Sequence, residues 1–442
     1  MRNTLQRSNR IVSNAAWLIG LQIAKSVIGL VVSMLTARYL GPANYGTINY
    51  AASIVAFVTP IMYLGLNGTL VHELVKRPEK EGEVLGTSIC MCALSACLCV
   101  LGVISFSILA NGNERDTVIV CALYSTLLLF QSVDIIAYWF QAKLLSKYHA
   151  LASVAAYLCI SAYRVVLLIT GKSVYWFALS NALDYLILSA LSVLIYSSIG
   201  GQRLKFSFST ARALFANSRY YIVSNLMVTI FAQTDKIMLK LMLDSYTAGI
   251  YSAAISCSGM TAFVFSAIID SFRPEILGNK AQNQTGYMEN LKLLYCVVIY
   301  LSLLQCIVLS VGSGLIVNLL FGSAYAAAAP VLAVVAWYTT FSYIGAIRNI
   351  WILAEGKHKY LWIINLSGAV ANVVLNFALI PVWGAIGAAA ASLITQIFTN
   401  IIIGQIIPAL SDSNKIILAS LNPKLIIHMV RKMRRTHRGK ED

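Results

Sequence analysis

Charge is what this chain has least of. Only 11% of its 442 residues are Asp, Glu, Lys or Arg, while 59% are hydrophobic and the mean hydropathy is +0.75. Soluble domains run near 25% charged residues, so a soluble globular fold is excluded. Short segments of alternating polarity are also missing, which excludes a membrane β-barrel. There is no phosphate-cradling P-loop, so the chain does not hydrolyse ATP by that route. No cleavable signal is visible either: Arg2, Arg7 and Arg10 precede an apolar run too long for a cleaved h-region. That first run reads as a signal anchor. The nine cysteines all fall in apolar segments. Cys90, Cys92, Cys97 and Cys99 look clustered, but neighbours two apart on a helix point about 200° from each other. Helix packing accounts for them better than a metal site or a disulfide does. No metal is expected.

What is present is apolar length. Runs of about 20 apolar residues, each sufficient to cross a bilayer as a helix, recur from end to end. Twelve spans can be placed, near 11–36, 44–66, 84–110, 117–140, 150–170, 174–198, 219–243, 246–268, 291–320, 329–353, 359–380 and 384–409. The expected fold class is an all-α polytopic membrane protein. The net charge of +16 does not imply nucleic acid, because the bases are sorted by loop as membrane topology requires. With the N-terminus inside, 25 of the 33 Lys and Arg fall in cytoplasmic segments, and only Arg38, Arg115, Lys172 and Lys240 fall in outer loops. Both termini are therefore expected in the cytoplasm.

The chain also repeats itself. Ile11-Val12-Ser13-Asn14, with Gln22 and Lys25, returns as Ile222-Val223-Ser224-Asn225, with Gln233 and Lys236, at an offset of 211. Trp139 with Lys147-Tyr148 returns as Trp351 with Lys359-Tyr360 at an offset of 212, and Gly46 and Ala51 match Gly249 and Ala254 at 203. Six spans per half is an even number, so both halves enter the membrane from the same side. The expectation is two six-helix bundles, 1–210 and 211–412, related by a parallel pseudo-twofold repeat around a central cavity. A basic cytoplasmic tail, 413–442, follows. Apolar residues alternate with bases in that tail, which suits either a helix lying on anionic lipid or a plain topology-fixing tail.

Four bases lie inside spans: Lys25, Arg164, Lys236 and Arg348. Each costs roughly 2.5–3.5 kcal/mol at the membrane centre, so each needs a cavity, a partner or a route to the interface. Asn14, Gln22 and Lys25 fall within about an 80° arc of one helix, a polar stripe that suits a cavity wall; an internal salt bridge for Lys25 stays open. Lys236 holds the equivalent place closer to the outer end of its span, where snorkelling is also open. Arg164 suits cavity lining. For Arg348, an interfacial anchor is an equally good reading. The acids in spans, Asp134, Asp184 and Asp235, are candidates for coupling to H+ or Na+, since a desolvated carboxylate titrates near neutrality; each is equally a salt-bridge partner for a base. Asn225, Gln233, Tyr50 and Trp139 join Asn14 and Gln22 as polar and aromatic groups for a cavity wall. The five histidines map to loops or tail. No catalytic constellation emerges, so an enzyme is not expected.

Four stretches resemble the O-antigen and polysaccharide flippases of the multidrug/oligosaccharidyl-lipid/polysaccharide exporter superfamily. They are Thr36-Ala37-Arg38-Tyr39-Leu40-Gly41-Pro42-Ala43-Asn44-Tyr45-Gly46, then Gln233-Thr234-Asp235-Lys236 leading to Ala248-Gly249-Ile250-Tyr251-Ser252-Ala253-Ala254, then Asp270-Ser271-Phe272-Arg273-Pro274-Glu275, and the small-residue run from Gly384 to Ser392. The resemblance covers essentially the whole chain. It implies alternating access and a substrate of undecaprenyl-diphosphate-linked oligosaccharide moved across the bacterial inner membrane. Association with the polysaccharide polymerase machinery is a further expectation. Lys25, Arg164, Lys236 and Arg348 would then meet the pyrophosphate, with no cofactor beyond a coupling ion. The main rival is a cation-coupled multidrug extruder of the same superfamily. Four bases against three acids within the spans favour an anionic substrate over a cationic drug. A membrane-embedded glycosyltransferase would want a large outer loop, and the outer loops are short.

Overall fold

The hydrocarbon core offers the backbone no hydrogen-bond partner, so each apolar run must satisfy its own N–H and C=O groups. Helix does this locally, and among the described residues no strand occurs. The computed structural model describes the backbone of residues 2–279 and 284–423, and side chains from Lys25 onward except 279–285. Asn14 and Gln22, expected on a cavity wall, and the tail from 424 lie outside the described side chains. The helices are, in order, α1 (Arg2–Met62), α2 (Leu70–Lys76), α3 (Glu81–Asn111), α4 (Arg115–Ser125), α5 (Leu127–Gln131), α6 (Ala137–Ala142), α7 (Ser146–Ile169), α8 (Val174–Ser198) and α9 (Phe208–Met242). They continue as α10 (Ser245–Gly259), α11 (Ala262–Asn279), α12 (Gln284–Val311), α13 (Ser313–Phe321), α14 (Ala328–Ala354), α15 (Leu361–Ile397), α16 (Ile403–Ile406) and α17 (Ser411–Ala419).

Among the described residues, eight helical stretches are long and apolar enough to cross a membrane, and nine if α10 and α11, bent by 46° to each other, form one span. The protein is an all-α polytopic membrane protein. The difference from the twelve spans expected has identifiable sources. Gly41 (φ 72°, ψ 169°) interrupts α1, and Gly384 (φ 56°, ψ −130°) interrupts α15. Positive φ of this kind is open to glycine at little cost, so each of these elements is two helices joined at a glycine corner. α9, loaded with Asn225, Gln233, Asp235, Lys236 and Lys240, is not among the apolar eight.

Packing divides the chain into two compact units, Met1–Gly249 and Ile250–Asp442. In the first, α1 packs against α3, α4, α7 and α9, and α8 against α4 and α7. α9, which the repeat places at the start of a second bundle, packs here against α1 and α3. The segment leading into it is held along α3. The Lys205 N–H donates to the Gly82 carbonyl (3.1 Å), Gln202 Oε1 accepts from the Gly82 N–H (3.1 Å), and the Ser207 N–H donates to Thr87 Oγ1 (3.0 Å). At the other end of α9, the second helix of α1 touches the first turn of α10. A methyl group on Gly46 would fall 1.8 Å from the Ser245 carbonyl oxygen, and one on Gly249 would fall 1.9 Å from the Pro42 carbonyl oxygen. The two glycines matched by the repeat therefore meet each other. In the second unit, α12 packs against α11 and α14, and α14 against α15, around a core that includes Tyr287, Tyr295, Ile347 and Trp351.

Lys240, counted from the sequence as an outer-loop base, is buried at the end of α9. Its Nζ donates to both carboxylate oxygens of Glu114 (2.8 and 2.6 Å), and the Thr117 hydroxyl donates to the same carboxylate (2.7 Å). These bonds, the Lys240 ammonium first, hold the Glu114 carboxyl below its usual value of 4.5. A depressed carboxylate contributes stability in full above that usual value and loses it as pH falls through the lowered one. Thermal midpoints of the purified protein should therefore drop on acidification below about pH 4.5, and Glu114→Gln should flatten that acid limb. An unchanged acid limb in the variant would contradict the pairing.

Candidate functional site

The first unit carries a polar seam built on one face of α7. His149, Ser153 and Tyr157 are four residues apart, so they stack along that face, and Ser161 and Arg164 continue it. Lys25, half-buried on α1, donates from Nζ to Ser153 Oγ (2.6 Å), and its Nζ lies 5.3 Å from the centre of the Tyr157 ring. Arg164 donates from Nε to Ser180 Oγ (2.8 Å) and from Nη2 to Asn181 Oδ1 (2.9 Å), both on α8. Asp184 is one turn further along α8. Asp134 lies where the chain between α5 and α6 tightens into a 3-10 stretch, Val133–Ile136. His149 Nε2 is 3.8 Å from Asp134 Oδ1, and His149 Nδ1 is 3.3 Å from Ser192 Oγ.

These charges act on one another without touching. Lys25 acts electrostatically on both Asp134 and Asp184, and Arg164 acts on Asp184. Among the described residues, neither Lys25 nor Arg164 has a carboxylate within 4.0 Å. The seam thus brings together Lys25, Arg164, Asp134 and Asp184, with His149, which the span limits drawn from the sequence place in a loop. Its spacing from residues 153 and 157 is visible in the sequence. The fifth span, taken to begin at 150, leaves His149 out by a single residue.

Beside the seam lies a cavity of about 550 Å³. Four amides reach its wall, Asn67, Gln131, Asn225 and Gln233, along with the phenols Tyr63, Tyr124 and Tyr185. Asn225 Nδ2 donates to Asn67 Oδ1 (3.2 Å), Ser53 Oγ donates to Gln233 Oε1 (3.1 Å), and Gln131 Nε2 is 3.5 Å from the Tyr185 hydroxyl. The wall carries no formal charge. The acids of the seam act on these phenols electrostatically, Asp134 on Tyr63 and Tyr185, and Asp184 on Tyr124 and Tyr185. These tyrosines give no signal in the sequence, since a lone aromatic in an apolar span usually packs in a core.

Other expected wall residues are placed elsewhere. Tyr50 is fully buried and accepts a hydrogen bond from Asn111 Nδ2 (2.8 Å). Trp139 packs edge-on against Phe140 and Tyr196, with ring centres 5.2 and 4.7 Å away. Both serve the core, Tyr50 among apolar side chains and Trp139 among aromatic ones. Lys236 is half-buried, with the buried Asp235 acting on it electrostatically. No hydrogen-bond partner for Lys236 is present among the described residues.

Arg348 belongs to the second unit and is only 1% exposed, so it is no interfacial anchor in this structure. Its Nη1 donates to the Thr399 carbonyl oxygen. Thr399 sits in a π-helical turn, Phe398–Ile402, and such a turn shifts the usual backbone pairing. Nε and Nη2 of Arg348 find no partner among the described residues.

Fold and site together define a polytopic helical membrane protein with an open, uncharged cavity and bases within its apolar helices. The family described as polysaccharide biosynthesis protein matches residues 11–274, and the chain belongs to it. A curated relative, the probable low-salt glycan biosynthesis flippase Agl15 of Haloferax volcanii, is 22% identical over 367 residues, 80% of this chain and 75% of that protein. Among solved structures, a lipid II flippase MurJ in an inward closed conformation aligns over 94% of this chain and 93% of its own, with a TM-score of 0.71 and 16% identity. The MATE multidrug transporter DinF-BH aligns over 91% of this chain and 95% of its own, with a TM-score of 0.62 and 14% identity. At such identities the structural likeness establishes the fold alone.

Arg348 can be tested as a structural group. Replacing a buried cation by an apolar side chain of similar length removes its desolvation penalty along with its bond. Arg348→Met should stay within about 1.5 kcal/mol of the parent, while Arg348→Ala, which leaves a cavity, should cost about 2–5 kcal/mol. Thermal unfolding in detergent measures both. Equal losses would contradict this account of the residue.

Proposed function

We propose that the protein is a flippase that translocates undecaprenyl-diphosphate-linked oligosaccharide, an O-antigen or related repeat unit, across the bacterial inner membrane by alternating access. One observation carries the reading: in a chain of the polysaccharide biosynthesis protein family, four amides and three phenols reach the wall of an open cavity, and the same unit holds bases within its helices. Amides and phenols exchange hydrogen bonds with sugar hydroxyls, and bases offset a diphosphate. The polyprenyl tail can stay in lipid. The fold of the MurJ flippase and the likeness to Agl15 support the same reading.

Within this proposal the chain crosses the membrane twelve times, as two six-helix bundles with both termini cytoplasmic. The glycine corners at Gly41 and Gly384, which divide α1 and α15, support that count. Lys25 and Lys236, matched by the repeat, are the first contacts proposed for the diphosphate, with Arg164 next. Arg348 joins them only if it leaves Thr399. Asp134, Asp184 and Asp235 are the groups through which transport would couple to H+ or Na+. The fold is shared with multidrug transporters, but a cavity for cationic drugs would present carboxylates, and this wall presents none.

Removing a charge-assisted hydrogen bond costs about 1.5–3 kcal/mol, or roughly ten- to a hundredfold in affinity. Lys25→Ala and Lys236→Ala should each abolish surface glycan while the protein remains in the membrane. Arg164→Lys should be milder than Arg164→Ala if a phosphate is met there. Normal surface polysaccharide in both lysine variants would overturn the assignment.

A further inference from the structure

Resting on the flippase reading, we infer that the cavity of the first unit seats an uncharged sugar residue of the glycan and rejects a sugar bearing a carboxylate. The diphosphate is held elsewhere. At about 550 Å³ the cavity falls inside the range of roughly 300–1,000 Å³ typical of small-molecule sites.

Its wall is matched to hydroxyl groups, which both donate and accept. Asn225 donates to the Asn67 carbonyl, which leaves the Asn225 carbonyl and the Asn67 amide N–H groups for a ligand. Gln233 accepts from Ser53, which leaves its own N–H groups. Gln131 Oε1 is buried with no partner among the described residues. A buried acceptor left unmatched costs about 1–3 kcal/mol, and a sugar hydroxyl supplies the missing donor once the Gln131 side chain, which lines the cavity, turns this closed oxygen toward it. The phenols of Tyr63, Tyr124 and Tyr185 add flat apolar faces with polar tips.

Charge decides the class of sugar. No side chain of the wall is charged. Lys25 and Arg164 are not part of that wall; each is held by neutral groups, Lys25 by Ser153 and Arg164 by Ser180 and Asn181. A carboxylate placed there would be desolvated without a counter-ion, which is strongly unfavourable. On α9, Lys236 is three residues beyond Gln233 and so close to the same face. In this inference Lys236, which is not part of the wall, is the base that meets the diphosphate.

Binding to the purified, full-length protein tests this with three synthetic probes: farnesyl diphosphate, farnesyl-diphosphate-linked N-acetylglucosamine and farnesyl-diphosphate-linked glucuronic acid. The N-acetylglucosamine conjugate should bind about tenfold or more tighter than either of the others. Asn225→Leu and Gln131→Leu should shrink the ratio of the conjugate's affinity to that of farnesyl diphosphate. The wild-type comparison needs no variant and so survives any folding defect. Equal affinity for all three probes would overturn the sugar seat and leave the flippase reading standing. No binding of any probe would overturn both.

Discussion

A polar group in hydrocarbon has to find a partner inside the protein. Everything distinctive in this structure follows from that constraint. The backbone meets it with helices. The side chains meet it by gathering: Arg164 between Ser180 and Asn181, Lys25 on Ser153, Lys240 on Glu114, and Arg348 on a carbonyl of a π-helical turn. A separate set of amides and phenols lines a cavity in the first unit, which in the proposed reading a hydroxylated ligand completes. The same chemistry that makes these residues expensive in a membrane makes them useful to a transporter.

The helical, polytopic character is legible in the sequence because apolar length is a local property, readable twenty residues at a time. Gly46 and Gly249, which the sequence repeat matches, are in contact, and that contact could not be read from the repeat itself. Other features depend on partners far away in sequence. Tyr50 and Trp139 look like wall residues, yet what surrounds them is set by Asn111 and Tyr196. Lys240 looks like a loop base, and only Glu114, 126 residues away, explains its burial. The phenols of the cavity wall carry no periodic signal at all. His149 does carry one, at four-residue spacing from Ser153 and Tyr157, and is hidden only by where the fifth span is taken to begin.

Fold and function separate here. A flippase and a multidrug transporter both superpose on this chain, so the arrangement of helices does not select the substrate. In the proposed reading, the wall of the cavity does. Amides and phenols without a carboxylate suit a glycan better than a cationic drug, and membership in the polysaccharide biosynthesis protein family agrees. No base is among the residues of that wall, which fits the proposal that a neutral glycan and an anionic linkage are held at different places.

The central claim is that this protein moves a lipid-linked glycan from one leaflet to the other. Reconstitution into liposomes containing a fluorescent polyprenyl-diphosphate-linked oligosaccharide tests it most directly, with a membrane-impermeant quencher reporting the outer-leaflet pool. Quenching should extend to the inner-leaflet pool when the protein is present. Quenching that stops at the outer leaflet, as in protein-free liposomes, would contradict the claim.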